Sequence, residues 1–130
     1  VVRYNQSMRV FCFILIGFFI ALTQPARADA VFFEAIPDMP VARGLIVLPE
    51  QGLVYDKPDG QIVKAVALMP LDQGVTRESV VAFYREALPS FGWSALGERR
   101  YTRGADRLRF WFEEFEGELY FNLLVSPAAF

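Results

Sequence analysis

The chain has 130 residues, of which 54% are hydrophobic, and this length fits one small domain. It contains no histidine, which excludes imidazole-based catalytic triads and zinc sites built on histidine. A formal net charge of −2 argues against a general nucleic-acid-binding protein, because such proteins usually carry an excess of basic residues.

The first thirty residues have the composition of a secretory signal peptide. Arg9 precedes an uncharged apolar run, Val10 to Leu22, and a small-x-small triplet ends at Ala30. We predict cleavage after Ala30, with Met8 as a possible true start of translation. As a helix the apolar run would span about 20 Å, short of the roughly 30 Å hydrocarbon core of a membrane. The alternative is an uncleaved anchor, which would be the only membrane contact that we expect.

The number and position of cysteines limit the chemistry that is available to the exported chain. Cys12 is the only cysteine, so cleavage after Ala30 would leave neither a disulfide nor a thiolate nucleophile. We therefore predict a periplasmic or secreted protein that is stabilised by packing. We expect no cofactor and no metal site.

A proline-containing segment follows the predicted cleavage site and covers residues 31–51. Pro37, Pro40 and Pro49 each lack a backbone N–H and favour extended conformations in their neighbours. We therefore predict an extended tail here, followed by a single folded domain over residues 52–130.

The domain is predicted to begin with a β-hairpin and a helix. Apolar runs at residues 52–56 and 61–69 are separated by residues that favour a tight turn. Thr76 has a hydroxyl that can cap a helix running from Arg77 to Leu88. Apolar residues recur at helical spacing on this segment and predict one face for packing against a core. They are Val80, Phe83, Tyr84, Ala87 and Leu88.

Two further turns predict how the last strands pair. If residues 116–117 form a two-residue turn, apolar residues face each other across the ladder. The predicted pairs are Phe112 with Phe121, Phe110 with Leu123, and Leu108 with Val125. A similar turn at residues 104–105 would place Tyr101 opposite Leu108, on the same face. The fold class predicted from this order is α+β, a two-layer sandwich with one helix on one face of an antiparallel sheet of about five strands.

The opposite face of this sheet is the candidate binding face. Its predicted site residues are Arg100, Arg107, Arg109, Trp111, Tyr120 and Asn122. Arg100 would lie directly across from Arg109, and opposed like charges are destabilising unless an anion lies between them. Arginine forks beside aromatic rings suit a phosphate, a carboxylate or an acidic sugar.

Two other interpretations of this face stay open. Glu113 and the nearby Glu114, Glu116 and Glu118 could neutralise the arginines and leave a solvated surface. Arginine and large aromatic residues are also enriched at the centres of protein interfaces, so the face could bind a protein.

No residue pattern favours catalysis. Lys57 and Lys64 are the possible amine bases, and neither has a serine beside it in the sequence. We expect a non-catalytic exported envelope domain that binds or assembles with another macromolecule, either a protein or an envelope component, and no nucleic acid. A binder of small anionic ligands is the alternative, and a small hydrolase is the third.

One run of residues carries a resemblance to known proteins. Residues 83–93 read Phe-Tyr-Arg-Glu-Ala-Leu-Pro-Ser-Phe-Gly-Trp. This resembles a Phe-Tyr-x3-Leu-Pro-x2-Gly-Trp motif found in small uncharacterised exported proteins and lipoprotein domains of Gram-negative bacteria. The likeness extends in outline over residues 38–127. It implies export and a helix-to-strand transition, and it implies no activity and no site residues.

Overall fold

A computed structural model describes residues 31–128 of the chain. These residues form a mixed α/β fold with a mostly antiparallel sheet. The predicted signal peptide and its cleavage site lie outside the described residues. Of the helices within residues 31–128, none has the length and apolar character needed to cross a membrane.

The elements of the fold follow one another with short connections. They are β1 (Phe32–Phe33), β2 (Ile36–Pro40), β3 (Ile46–Val47), β4 (Leu53–Lys57), β5 (Gly60–Met69), α1 (Arg77–Ala87), β6 (Ser94–Gly97), β7 (Arg100–Arg103), β8 (Asp106–Phe115) and β9 (Glu118–Pro127). Short 3-10 helices cover Pro49–Gln51 and Leu88–Phe91. The main sheet has the strand order β3, β5, β9, β8, β7, β6, and β4 also pairs with β5; β1 and β2 form a separate pair.

The main sheet has seven strands, so the prediction of about five was too small. The chain reverses between Gly97 and Arg100, so the segment after Trp93 forms two strands, β6 and β7. β3 was missed because two residues are too few for an alternating pattern of apolar and polar side chains.

The predicted registers of the last three strands are confirmed. β8 pairs with β9 so that Phe112 faces Phe121, and β7 pairs with β8 so that Tyr101 faces Leu108. At the turn between β8 and β9, Glu116 has a φ of 51° and Gly117 a φ of 78°. Two successive positive φ values are what a two-residue hairpin turn needs to match the twist of its strands. The predicted hairpin of β4 and β5 is also present.

The helix begins where it was predicted and packs on one face of the sheet. The Thr76 hydroxyl accepts from the Ser79 backbone N–H at 3.0 Å, and the Ser79 hydroxyl accepts from the Thr76 N–H at 3.0 Å. Tyr84 is buried against Phe110 and Phe121 of the sheet. The α-helical part ends at Ala87, one residue earlier than predicted.

Residues 31–51 belong to the core, although the core was expected to begin near Gly52. Four apolar side chains of this segment are buried: Phe33, Ile36, Met39 and Ala42. Their spacing fits neither a helix nor an alternating strand, so periodicity did not reveal them. The segment is extended in β1, β2 and β3, and it packs into the hydrophobic cluster rather than lying outside it.

Arg103 joins this N-terminal segment to the rest of the fold. Its guanidinium forms an ion pair with Asp38 and donates a hydrogen bond to the Phe91 carbonyl oxygen at 3.1 Å. The same group lies 4.3 Å from the ring centroid of Trp93, which is itself buried. The Arg103 side chain therefore contacts β2, the 3-10 helix Leu88–Phe91 and the buried Trp93.

We expect Arg103→Ala to lower the free energy of unfolding by roughly 2 kcal/mol, because it removes charge-assisted hydrogen bonds and a cation–π contact. Urea unfolding followed by tryptophan fluorescence measures the loss. Arg85→Ala is the matched control, since Arg85 makes an exposed 3.9 Å pair with Glu98 and should contribute less than about 0.5 kcal/mol. Equal losses for the two variants would contradict this role of Arg103.

Candidate functional site

The main sheet has an open face, which is the side opposite α1. The strand registers align its side chains in rows that cross β7, β8, β9 and β5. Successive rows are Thr102, Arg107 and Ser126; then Arg100, Arg109, Leu124 and Lys64; then Trp111, Asn122 and Val66; then Glu113, Tyr120 and Leu68. All six predicted site residues lie on this face.

Three predicted site residues line one depression, which we call the arginine cleft. Arg100, Arg107 and Arg109 border a volume of about 510 Å³, together with the neighbouring Leu124 and Ser126. Arg100 lies directly opposite Arg109 in the β7–β8 ladder, as the register predicted. The cleft is open to solvent, so its cations are available to a ligand.

The acidic residues of this surface do not neutralise the arginine cleft. Within residues 31–128, the ion pairs of arginine are made by Arg77, Arg85 and Arg103, and none involves the three arginines of the cleft. Glu114 points to the other face of the sheet and lies 3.9 Å from Arg77. The interpretation in which nearby glutamates balance the cleft is therefore not supported by the geometry.

One arginine of the cleft is held in place by neutral groups. The Arg107 guanidinium donates to the Thr102 hydroxyl and to the carbonyl oxygens of Gly104 at 3.3 Å and Asp106 at 3.2 Å. These acceptors orient the guanidinium and leave its positive charge uncompensated. Because the Arg107 side chain is already oriented, it loses less conformational entropy when a ligand binds.

Trp111 lies next to Arg109, outside the lining of the arginine cleft. The Arg109 guanidinium lies 5.3 Å from the Trp111 ring centroid, and the Lys64 ammonium lies 5.9 Å from it. Both distances are in the range of cation–π attraction. The indole ring is half-buried, so it presents apolar surface beside these two positive charges.

Tyr120 and Asn122 lie apart from the arginine cleft, in a second depression of about 300 Å³ that also includes Glu113. Asn122 is 2% exposed and donates to the Glu113 carboxylate at 3.3 Å, so its side chain is not accessible to a ligand. The Tyr120 hydroxyl donates to the Glu118 carboxylate at 2.7 Å. This hydrogen bond raises the pKa of Tyr120. Three of the six predicted residues therefore line the arginine cleft and two line the second depression, which Lys64 also borders; Trp111 lines neither.

Sequence reasoning missed Lys64 as a member of this face. Its place depends on the pairing of β5 with β9, in which Lys64 lies opposite Leu124. No tight turn joins these two strands, so no local signal indicated their register. In the described part of the chain, no group of three or more Cys, Asp and Glu side chains has an arrangement that could hold a metal ion.

Comparisons with known proteins gave no relative of this chain. No protein-family model, no curated protein and no solved structure matches it. The resemblance of residues 83–93 to a family of small exported proteins therefore stays a prediction, and the function rests on the geometry of the open face.

Proposed function

We propose that this protein is an exported, non-catalytic binding module whose open face binds another macromolecule, either a protein or an envelope component. The observation that carries this proposal is the arginine cleft, where three guanidinium groups have no acidic partner within residues 31–128 and one of them, that of Arg109, lies against the Trp111 ring. Adjacent like charges are unfavourable on an isolated sheet, and arginine with tryptophan is typical of the centre of an interface. Export rests on the predicted signal peptide.

A second candidate is the binding of a small anionic ligand. The cleft volume of about 510 Å³ lies within the range of small-molecule sites. Arginine forks in such a cleft suit phosphate, carboxylate or acidic sugar groups, and the Trp111 ring could stack against a sugar. Binding of this kind should weaken with salt, because the cleft is exposed to solvent.

The experiment combines Arg109→Ala and Trp111→Ala in one variant. We expect this double variant to lose partner capture, measured by cross-linking in the intact envelope of cells that express the full chain. Because Arg109 is exposed and Trp111 is half-buried on a face outside the main core, we expect a melting temperature lower by only a few degrees. Arg85→Ala is the control for the loss of an exposed arginine charge.

An NMR titration of the indole and amide signals separates the two candidates. Inorganic phosphate, acidic sugars, anionic lipid vesicles and peptidoglycan fragments are the probes. Saturable shifts with phosphate or a sugar, centred on Trp111, would favour the small-ligand candidate. Cross-linking that survives the double variant would contradict the macromolecule candidate, and the absence of saturable shifts with any of the anionic probes would contradict the small-ligand candidate.

A further inference from the structure

The open face is electrostatically polarised along its strands. We define its central row as Trp111, Asn122 and Val66, which lie side by side on β8, β9 and β5. Toward one end lie the basic side chains Arg100, Arg107, Arg109 and Lys64, and toward the other lie Glu113 and Glu118. The sign of the charge changes across the central row.

The charges are placed symmetrically about this row. On β8, Arg109 precedes Trp111 by two residues, and Glu113 follows it by two. On β9, Glu118 precedes Asn122 by four residues, and Ser126, the partner of Arg107 in the ladder, follows it by four. A rotation of 180° about the central row brings Arg109 over Glu113 and places Glu118 over Ser126, the ladder neighbour of Arg107. Lys64 falls over Leu68 and Arg100 meets no acidic residue, so the face is complementary to itself along β8 and β9.

We propose that two copies of this chain pack open face to open face, related by a two-fold axis that lies along the central row. The inference rests on the proposed function, because it names a second copy as the partner of the same face. In this arrangement each arginine cleft receives Glu113 and Glu118 of the other copy. The two Trp111 rings lie near the axis and provide the apolar centre of the interface.

The charge pattern selects this axis over the other one in the plane of the sheet. A two-fold axis parallel to the strands would place one arginine cleft over the other, and like charges in close contact cost several kcal/mol. An acidic peptide would satisfy the arginines but would leave Glu113 and Glu118 facing no cation. A second copy gives Glu113 and Glu118 cationic neighbours and gives Arg109 and Arg107 acidic ones, as an isologous interface requires.

The size of the face suits a weak dimer. The ladders place about 15 side chains on it, each covering about 4.8 Å by 6.7 Å, so the face covers roughly 500 Å² on each copy, or roughly 1,000 Å² in total. That total lies in the range of weak and transient protein interfaces. Sheets that pack face to face keep their strands within about 30° of alignment, which preserves the pairing of rows.

Charge reversal with rescue is the test. Arg109→Glu should weaken dimerisation at least about tenfold, because it opposes the second copy's Glu113, and Glu113→Arg should do the same by opposing Arg109. The chain that carries both changes should dimerise within about threefold of the original affinity. Arg109 and Glu113 are four residues apart on one strand and thus lie about 13 Å apart, so they cannot repair each other within one copy.

Sedimentation velocity of protein purified from cells that express the full 130-residue chain measures the dimer constant. Arg85→Glu is the control for an exposed charge reversal. Glu113 also accepts a hydrogen bond from Asn122, which Glu113→Arg removes. A second pair, Arg107→Glu with Glu118→Arg, therefore repeats the test and leaves that hydrogen bond in place.

Rescue in either double variant supports the dimer. A wild-type protein that stays monomeric at about 100 µM overturns the inference, as does a dimer that both single reversals leave intact or a loss that neither double variant repairs. Monomeric protein whose cross-linking to another macromolecule still requires Arg109 and Trp111 would overturn the dimer alone and leave the proposed function standing.

Discussion

Tyr84→Ala is expected to lower the free energy of unfolding by about 3–5 kcal/mol, the range for deleting a large aromatic side chain from a core. The Tyr84 ring is fully buried and stacks on Phe121 with centroids 5.5 Å apart and planes 5° apart. It also lies 5.4 Å from Phe110, and its hydroxyl donates to the Pro40 carbonyl oxygen at 2.9 Å. One side chain thus joins the helix, the sheet and the N-terminal segment.

Tyr84→Phe is the matched variant, because it keeps the ring and removes only the hydroxyl. We expect it to cost about 1–2 kcal/mol, since the buried Pro40 carbonyl oxygen loses its donor. Urea unfolding of the two variants separates ring packing from hydrogen bonding. Similar losses for Tyr84→Ala and Tyr84→Phe would contradict the packing role of the ring.

The same residue predicts a dependence of stability on alkaline pH. Burial raises the pKa of Tyr84 well above its usual value of about 10. Above pH 10 the unfolded chain releases this proton while the folded chain keeps it, so the stability that the tyrosine contributes is present below pH 10 and is lost as the pH rises further. Tyr84→Phe cannot titrate. We therefore expect the difference in stability between the original protein and Tyr84→Phe to shrink above pH 10.

Gly44→Ala is expected to be the second severe substitution, with a loss of about 2–4 kcal/mol from backbone strain and overpacking together. Gly44 connects β2 and β3 with a φ of 86°, a region that costs other residues energy. A Cβ placed there would lie 2.2 Å from the Cγ2 atom of Val75, far inside van der Waals contact. Either Val75 or the loop would have to move.

Two variants separate the backbone strain at Gly44 from the overpacking against Val75. Gly104→Ala also places alanine at a positive φ, 56°, but its Cβ would meet nothing within 4 Å, so it should cost only about 1–2 kcal/mol. Val75→Ala in the Gly44→Ala background removes the clashing methyl group and should restore part of the stability. Thermal unfolding of the four chains gives the comparison. Equal losses at Gly44 and Gly104 would show that the contact with Val75 is unimportant.

Much of the fold follows from short stretches of sequence. Thr76 before an apolar helical stripe predicted α1, and the turn residues around Gly117 predicted the pairing of Phe112 with Phe121. These features depend on side chains and backbone angles within a few residues of each other. For that reason the register of β8 and β9, and with it the face that carries Arg109 and Trp111, could be predicted without a structure.

The tertiary structure decided what depends on distant pairing. The burial of Phe33 and Met39 requires the N-terminal segment to meet α1, some forty residues later in the chain. The place of Lys64 beside Trp111 requires β5 to pair with β9 across a gap of about fifty residues. No hairpin turn sets either contact, so no local pattern could reveal it.

In the candidate site too, some features follow from local sequence and others from the pairing of distant strands. The sequence by itself determined that Arg100 opposes Arg109 and that Trp111 shares their face, because one hairpin register sets all three positions. Only the tertiary structure decided that these arginines line a cleft, where none of them has an acidic partner among residues 31–128, and that Asn122 is buried. It also decided that Lys64 joins the basic side of the central row, since β5 and β9 pair although they are far apart in sequence.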